Sequence, residues 1–392
     1  MFELVNEYSQ NAVIKVIGVG GGGCNAVESM IKSKIHGAEF LMANTDSQAL
    51  KDCKGATAIQ IGSEITKGLG AGSDPEIGRQ AALEAKEELT TAIFGADMLF
   101  IAVGMGGGTG TGAASVIAQI ARDAGILTVA VVTKPYEFEG SKRMKHAQEG
   151  IEALSEWVDS LIVIPNEKLK EVYGDDSSLF ASFENANDVL RGAVKGIAEI
   201  ITIRGQINVD FADVKTVMSG RGKAMMGSGI ASGENRATEA VDKALCSPLL
   251  DDIDLHGASG VLVNITAGDM SLKEFEMIGE KVKDISAPEA TIIAGCIKEE
   301  ESLDGELRVT LIATGFEAAA HDEISSIEAV AANTPDANNS TSSTIRGNIP
   351  NVPVPQTSTM PNYFNTMATE KRPDNEHGEN IDIPAFLRQQ AD

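Results

Sequence analysis

The stretch Gly106-Gly-Gly-Thr-Gly-Thr-Gly112 contains five glycines and two threonines. It follows Met98–Val103, an apolar run typical of a buried strand, and precedes Ala113–Ala124, whose apolar spacing predicts a helix. Glycine lets the backbone approach a phosphate closely, and a helix N-terminus adds partial positive charge. Because each glycine adds conformational entropy to the unfolded chain, a simple turn rarely contains so many. The stretch therefore predicts a phosphate-binding loop between a strand and a helix.

Another glycine-rich loop lies at Gly18-Val-Gly-Gly-Gly-Gly-Cys-Asn25. It is named the first loop, and Gly106–Gly112 is named the second loop. The first loop follows the predicted strand Ala12–Val19 and precedes the helical spacing of Asn25–Lys34, with Gly20–Gly23 predicted as loop. The chain contains no GxxxxGKS/T motif, so neither loop is a P-loop with its lysine. The GxGxxG pattern, with Asp46 about twenty residues downstream, leaves a dinucleotide-dependent oxidoreductase open. Such an enzyme would not need the second glycine loop.

Strand-like runs alternate with helical spacing from residue 12 to residue 164, which predicts an α/β fold with a Rossmann-like parallel sheet. A third glycine-rich loop, Gly68–Gly72, precedes a predicted helix at Asp74–Thr91. Leu179–Ile203 shows a helical pattern longer than most globular helices, so it is predicted to be a core helix that connects two domains. A second, smaller α/β domain is predicted from a strand, a helix and a hairpin of two strands: Gly260–Ala267, Leu272–Val282, Thr291–Lys298 and Leu307–Thr314.

Charge and composition narrow the possible functions. The chain carries 32 basic and 57 acidic residues, for a formal net charge of -25, and such a surface repels nucleic acid and anionic lipid. The four cysteines are scattered, which favours reduced thiols in a cytosol over a disulfide framework. The first ten residues show no signal-peptide pattern, and no apolar run is long enough to span a bilayer. We therefore expect a cytoplasmic protein with no nucleic-acid partner and no direct membrane insertion.

The chain changes character after Phe316. Residues 318–378 are rich in Asn, Ser, Thr, Pro and Ala, and their isolated apolar residues show no period, so a disordered tail is predicted. The apolar island Ile381-Asp-Ile-Pro-Ala-Phe-Leu-Arg388 follows. A peptide that docks into a partner's groove after a disordered tether has this pattern. A tail that docks on its own domain is the alternative.

Asp210 and Asp213 are three residues apart, so on a helical turn they share one face. Two such carboxylates can orient a water molecule or a hydrated magnesium ion for attack on a phosphate. From spacing alone, acidic residues that favour a helix N-terminus explain the pair equally well. A scaffold that binds nucleotide without turnover is a further alternative, against which these two carboxylates argue.

These stretches together resemble the tubulin and FtsZ superfamily, and within it the bacterial FtsZ family of division-ring GTPases. Gly106–Gly112 resembles the tubulin signature, and the similarity extends over nearly the whole chain except the segment 318–378. The further stretches that carry it are Lys15–Val27, Asn44-Thr-Asp46, Phe138-Glu-Gly140, Asn208–Asp213 and Ile381–Arg388. The resemblance implies a GTP-binding and GTP-hydrolysing protein that polymerises head to tail into filaments of the division ring at midcell.

The resemblance also implies roles for individual residues. The glycine loops would line the phosphates through Gly21, Gly22, Gly23, Cys24, Asn25, Ala71, Gly72, Gly108, Thr109 and Gly110. Glu139 and Arg143 would approach the ribose, and Asn187 would contact the guanine base. Asp210 and Asp213 would complete the site of the adjacent subunit, so hydrolysis of GTP to GDP, with Mg2+, would require polymerisation.

The same resemblance implies the domain order and the partners. The expected segments are a flexible N-terminus 1–10, a GTP-binding domain 11–178, a core helix 179–203, a C-terminal activation and polymerisation domain 204–317, a linker 318–378 and a partner-binding peptide 379–392. Membrane-tethering division proteins such as FtsA and ZipA, together with Z-ring regulators, would bind the peptide. Its contact residues would be Ile381, Asp382, Ile383, Pro384, Ala385, Phe386, Leu387 and Arg388.

Overall fold

The computed structural model describes residues 12–51, 53–174, 178–220, 222–250, 258–298 and 305–316. The predictions for the N-terminus, the linker and the terminal peptide lie outside these residues. Within the described part of the chain, no helix is both long enough and apolar enough to cross a membrane.

The amino-terminal half is built on a parallel sheet. Its strands are β1 (Ile14–Val19), β2 (Ala38–Asn44), β3 (Thr57–Gln60), β4 (Met98–Gly104), β5 (Leu127–Lys134) and β6 (Ser160–Pro165). They lie in the order β3-β2-β1-β4-β5-β6, and each neighbouring pair is parallel. This order is that of a doubly wound nucleotide-binding fold. The predicted α/β class with a Rossmann-like sheet is therefore confirmed.

Helices connect and cover these strands. They are α1 (Gly20–Lys32), α2 (Ser63–Thr66), α3 (Pro75–Glu84), α4 (Lys86–Ile93), α5 (Thr109–Asp123), α6 (Ser141–Ser155), α7 (Asn166–Tyr173) and α8 (Leu179–Thr202). The predicted helix over Asp74–Thr91 is interrupted at Ala85, where α3 ends and α4 begins. Asp74 caps α3, since its Oδ1 accepts a hydrogen bond from the N–H of Glu76 at 2.9 Å.

The prediction that Gly20–Gly23 is a loop was wrong, because α1 begins at Gly20. Helix α5 likewise begins at Thr109 rather than at Ala113. Glycine has a low helix propensity, but here close packing outweighs it. A Cβ built on Gly23 would lie only 2.2 Å from the carbonyl oxygen of Ala102 in β4, so only glycine lets this first turn pack so closely on the sheet.

The second half contains strands and helices that the sequence analysis had only partly identified. They are α9 (Phe211–Met218), β7 (Gly222–Ser232), α10 (Arg236–Leu245), β8 (Gly260–Ala267), α11 (Leu272–Ile285), β9 (Thr291–Lys298) and β10 (Glu306–Thr314). Strand β7 pairs in parallel with β6 through residues 222–224 and antiparallel with β10 through residues 225–232. The described strands therefore form one continuous sheet, in which β7-β10-β8-β9 follows β6.

The predicted hairpin between Thr291–Lys298 and Leu307–Thr314 was also wrong. Strand β10 lies between β7 and β8 and is antiparallel to both, whereas β9 pairs in parallel with the outer edge of β8. Six consecutive residues of β10, Val309–Thr314, are buried, but both ends of β9 are exposed. Strand β10 takes the central position and is the more completely buried of the two strands, so burial between β7 and β8 outweighs the short connection that favours a hairpin.

Helix α8 packs against both halves. Its residues Ala193 and Ile197 belong to one hydrophobic cluster with Phe100 of β4 and with Leu262 and Ile312 of the second half. The long helix is therefore part of a shared core.

Candidate nucleotide site

The two long glycine-rich segments meet at one edge of the sheet. Strands β1 and β4 are neighbours in register, with Val19 opposite Val103, so the helices that follow them begin side by side. Gly20 has a φ of +70°, and a Cβ built on it would lie 2.7 Å from the backbone nitrogen of Gly110. The first turns of α1 and α5 supply N–H groups without intrahelical partners, together with partial positive charge. This junction is suited to a chain of phosphates.

The predicted residues of the first loop divide into exposed and packed positions. Gly21, Gly22 and Asn25 are exposed, and no heavy atom lies within 4 Å of a Cβ built on Gly21. Gly23 is buried against β4. The open side of this turn is therefore formed by Gly21, Gly22 and Asn25.

Cys24 turns its thiol into the core. Its Sγ lies 3.8 Å from the carbonyl oxygen of Gly18, and the Asn44 side-chain amide donates to Sγ at 4.0 Å. Burial raises the pKa of the Cys24 thiol to about 12, with a smaller contribution from Cys53. The thiol is therefore neutral near pH 7, and only the backbone of Cys24 is available at the junction.

The third loop packs against the second. Ala71 is buried, and a Cβ built on Gly108 would lie 2.9 Å from the Cβ of Ala71 and 2.8 Å from the backbone nitrogen of Asp74. Gly72 has a φ of +59°, and its open side has no atom within 4 Å of a built Cβ. All three glycine-rich segments therefore lie together, although they are far apart in sequence.

The two threonines of the second loop hold its shape. The hydroxyl oxygens of Thr109 and Thr45 are 2.6 Å apart in a buried hydrogen bond. The hydroxyl of Thr111 accepts from the backbone N–H of Gly106 at 2.9 Å. The first contact connects the start of α5 to the segment after β2, and the second closes the glycine turn on itself.

A cavity of about 130 Å³ opens beside the first loop. Five of the predicted site residues line it: Gly22, Asn25, Glu139, Arg143 and Asn187. Residues that the sequence analysis did not identify complete it: Gly104, Met105, Thr133, Pro135, Asn166, Phe183, Ala186 and Leu190. The carboxyl ends of β4, β5 and β6 supply several of these, and ligands bind at that edge of open parallel sheets. This rule could have identified Asn166, which directly follows β6.

Asn166 has a buried polar atom without a partner. The residue is 4% exposed, and its Oδ1 has no hydrogen-bond partner among the described residues. A buried acceptor without a donor costs about 1–3 kcal/mol. Asn166 therefore combines an unpaired acceptor with a position in the cavity lining, where a ligand with a hydrogen-bond donor would suit it.

Glu139 and Arg143 form an ion pair at the cavity, with Glu139 Oε2 at 3.2 Å from Arg143 Nη1. The Glu139 side chain is 10% exposed and that of Arg143 is 51% exposed. The other oxygen of Glu139, Oε1, accepts from the backbone N–H of Tyr136 at 2.9 Å. The carboxylate is therefore held from two sides, whereas the guanidinium extends towards solvent.

The structure does not bring Asp210 and Asp213 to this cavity, because neither residue lines it. Asp210 is the N-cap of α9, and its Oδ1 accepts from the N–H of Asp213 at 2.9 Å. Both residues are exposed. Capping explains the orientation of Asp210, and the exposed carboxylate of Asp213 has no such structural role.

Comparison with known proteins agrees with this geometry. Residues 13–174 match the model of the Tubulin/FtsZ family, GTPase domain, and residues 222–317 match that of the FtsZ family, C-terminal domain. The chain is 51% identical over 409 residues to the cell division protein FtsZ of Pseudomonas aeruginosa, with all of both chains covered. It is 58% identical over 317 residues to that of Coxiella burnetii, covering 81% of this chain and 82% of the relative.

Solved structures show the same likeness. The empty FtsZ dimer of M. jannaschii aligns with a TM-score of 0.75 at 47% identity, over 78% of this chain and 89% of that one. A GTPγS-bound CetZ2 protofilament from Haloferax volcanii aligns with a TM-score of 0.66 over 81% of this chain and 98% of that one. At 20% identity, the second likeness concerns the fold alone.

Proposed function

This chain belongs to the FtsZ family of tubulin-like GTPases, and on that premise we propose how its site binds and hydrolyses GTP. It is a GTPase that polymerises into the division ring, as its family membership indicates. The observation that carries the detailed proposal is the position of Gly22. This residue belongs to the first phosphate loop and also lines the cavity to which Asn166 contributes.

The phosphates bind across the paired helix starts. Gly21, Gly22 and Asn25 contact them from α1, and Gly108, Thr109 and Gly110 contact them from α5. Gly23 and Cys24 contribute through the backbone. Ala71 and Gly72 reach the terminal phosphate, which is supported by the packing of their loop against Gly108. The absence of a P-loop lysine is compatible with this arrangement, because two helix N-termini supply the positive potential.

The base and the ribose bind in the cavity. Guanine presents an N1–H and an exocyclic amino group, and Asn166 Oδ1 can accept a hydrogen bond from either donor. Asn187 on α8 supplies a second amide, while Glu139 and Arg143 lie at the ribose. Adenine has no donor at N1, so an acceptor here discriminates in favour of guanine.

Asp210 and Asp213 act on the nucleotide of the neighbouring subunit. Neither lines the cavity of its own protomer, and both are exposed at the start of α9. A head-to-tail contact does not close on itself and therefore gives a filament. In that filament the two carboxylates orient the attacking water, and hydrolysis depends on assembly.

Mg2+ fits the same site. No cluster of three or more His, Cys, Asp or Glu side chains in the described residues could cage a metal. Mg2+ is usually held by one or two carboxylates together with substrate phosphates, so the carboxylates of Asp210 and Asp213 would suffice. The ion would neutralise the negative charge that the phosphates carry.

The first experiment measures GTP turnover per molecule against protein concentration, with magnesium, alongside light scattering. A site assembled between subunits gives near-zero turnover below a threshold and a rise that accompanies scattering. Constant turnover per molecule would refute the shared site. Tight binding of NAD without binding of GTP would refute the nucleotide assignment itself.

Charge variants separate catalysis from capping. Asp210→Asn keeps a good N-cap but removes the charge, and Asp213→Ala keeps the cap of Asp210. Both should bind GTP but lose turnover by about a hundredfold or more. Asp123→Ala changes an exposed aspartate in the last turn of α5 and should behave as the unmodified chain.

A mixing experiment makes the test sharper. Gly21→Leu should fold, because no atom lies near a Cβ at this position, but its side chain would occupy the space of the phosphates. In a mixture of the two variants, Gly21→Leu subunits supply intact Asp210 and Asp213, and Asp213→Ala subunits supply bound GTP. A shared site predicts that the mixture recovers part of the turnover, and a self-contained site predicts none.

In the proposed division of the chain, residues 11–178 form the GTP-binding domain, residues 179–203 form the core helix and residues 204–317 form the polymerisation domain. Residues 379–392 bind membrane-tethering proteins such as FtsA and ZipA and Z-ring regulators, and the protein works in the cytoplasm at midcell. Truncation after residue 378 should leave GTP turnover intact and abolish binding to these anchors. Loss of turnover in the truncated chain would contradict this role.

A further inference from the structure

Tyr136 is a buried tyrosine beside the nucleotide cavity but outside its lining. It is 1% exposed, and its side chain is the largest among the fully buried side chains of the described residues. It follows β5 and precedes the short helical turn Glu137–Glu139. Tyr136 therefore lies in the short segment between the carboxyl end of β5 and Glu139, which pairs with Arg143.

The backbone of Tyr136 orients Glu139. Its N–H donates to Glu139 Oε1 at 2.9 Å, and the N–H of Glu139 donates back to the Tyr136 carbonyl oxygen at 3.1 Å. These two bonds close a tight turn and leave Glu139 Oε2 to face Arg143. The direction of the carboxylate therefore depends on where residue 136 sits.

The phenol ring orients the aromatic side of the cavity. It stacks on Phe138, with ring centroids 5.2 Å apart and an interplanar angle of 12°, and meets Phe183 edge-on at 5.8 Å and 84°. Its hydroxyl donates to the carbonyl oxygen of Ser182 on α8 at 3.0 Å. Of these neighbours, Phe183 lines the cavity. Aromatic rings prefer such stacked and edge-to-face arrangements, so the Tyr136 ring favours one orientation of Phe183.

A third set of contacts comes from α7. The ammonium of Lys170 lies 5.8 Å from the centroid of the Tyr136 ring and pairs with Glu167. Glu167 Oε2 in turn accepts from the N–H of Glu137 at 3.2 Å. Helix α7 begins with Asn166, so the elements that carry Asn166, Glu139 and Phe183 all meet at Tyr136.

We infer that Tyr136 is a positioning residue of this site, which holds Glu139 towards the ribose and Phe183 towards the base. The inference rests on the proposed nucleotide site. Loss of the ring removes the contacts with Phe138, Phe183 and Lys170 together. Glu139 then keeps its charge but loses its orientation.

The test measures dissociation constants for GTP and for its 2′-deoxy and 3′-deoxy analogues. In the unmodified chain, the analogue that lacks the ribose hydroxyl bound by Glu139 should bind about tenfold more weakly than GTP. This ratio of dissociation constants is named the deoxy penalty. In Tyr136→Leu, GTP should bind about tenfold more weakly, and the deoxy penalty should shrink to about twofold or less. Tyr136→Phe keeps the ring and should retain the deoxy penalty, with GTP binding within about threefold of the unmodified chain.

Phe100→Leu is the matched control, because it removes a fully buried ring from β4 without touching the cavity. It should lower thermal stability yet keep the deoxy penalty. If Tyr136→Leu keeps the penalty while Glu139→Gln abolishes it, Tyr136 does not position Glu139, although the site is right. If the unmodified chain does not bind GTP, the proposed function is refuted, and the role of Tyr136 is refuted with it.

Discussion

Replacement of Gly112 by alanine should destabilise the protein strongly, although alanine is the better helix former. Gly112 lies in the second turn of α5, where this helix crosses α3. A Cβ built there would lie 1.8 Å from the carbonyl oxygen of Pro75 and 2.6 Å from the backbone nitrogen of Arg79. Both atoms belong to the backbone of α3, so no side-chain rotation can relieve the contact.

The required movement sets the magnitude. Real Cβ contacts essentially never fall below 3.0 Å, so α3 must withdraw by at least about 1.2 Å from α5 in a close-packed core. Overpacking of this kind costs about 1–3 kcal/mol, and the backbone character of the clash favours the upper end. The movement would also carry Ala71 and Gly72, which lie just before the N-cap region of α3, away from Gly108. We therefore expect weaker GTP binding as well.

Gly279→Ala in α11 is the matched control. Gly279 is an exposed position inside a helix with no heavy atom within 4 Å of a built Cβ, so the same substitution should stabilise by about 0.5–1 kcal/mol. Urea unfolding followed by far-ultraviolet circular dichroism gives both free energies of unfolding, and a titration with GTP gives affinity. Equal effects of the two substitutions would refute the argument that helix crossing at Gly112 controls the site.

Single side chains control nucleotide preference, acid stability and thiol reactivity in this protein. Asn166→Leu should weaken GTP binding about tenfold and leave the weaker binding of ATP unchanged. An equal loss of affinity for both nucleotides would show that Asn166 does not contact guanine. Hydrogen bonds from Arg236 lower the pKa of Glu274 from 4.5 to about 2, so the stability they confer is present above pH 4.5 and is lost as pH falls towards 2. The difference in unfolding free energy between the unmodified chain and Glu274→Gln should therefore shrink from pH 7 to pH 3, and a constant difference would contradict the pairing. A thiol reagent at pH 8 should label exposed Cys246 quickly and buried Cys24 only after urea unfolding, and rapid native labelling of Cys24 would contradict its burial.

Local sequence patterns were sufficient for much of the fold. Strands β8 and β9 begin and end where their apolar runs predicted, and Asp74 before Pro75 marked the start of α3. Such features depend on neighbours a few residues apart, through side-chain periodicity and capping. Glycine between a strand and a helix likewise predicted the phosphate loops. The start of α1 at Gly20 was missed because packing against β4, a distant strand, overcomes the low helix propensity of glycine.

The site was only partly predictable from the sequence. Glu139, Arg143 and Asn187 were expected from resemblance to a family, and the cavity does bring them together with Gly22. Asn166 carries no motif of its own. Its unpaired oxygen becomes visible only when β6 and α7 bury it, because an orphaned acceptor is a property of its surroundings.

The sequence by itself determined the α/β class, the three glycine-rich segments and the long helix, because composition and periodicity act locally along the chain. Tertiary structure alone decided that β10 lies between β7 and β8, and that Gly112 must accommodate α3. It also decided that Asp210 caps α9 away from the cavity of its own protomer. These arrangements depend on which distant surfaces are buried against each other. The packing energies that decide between alternative arrangements come from residues far apart in the chain, so no short stretch of sequence contains them.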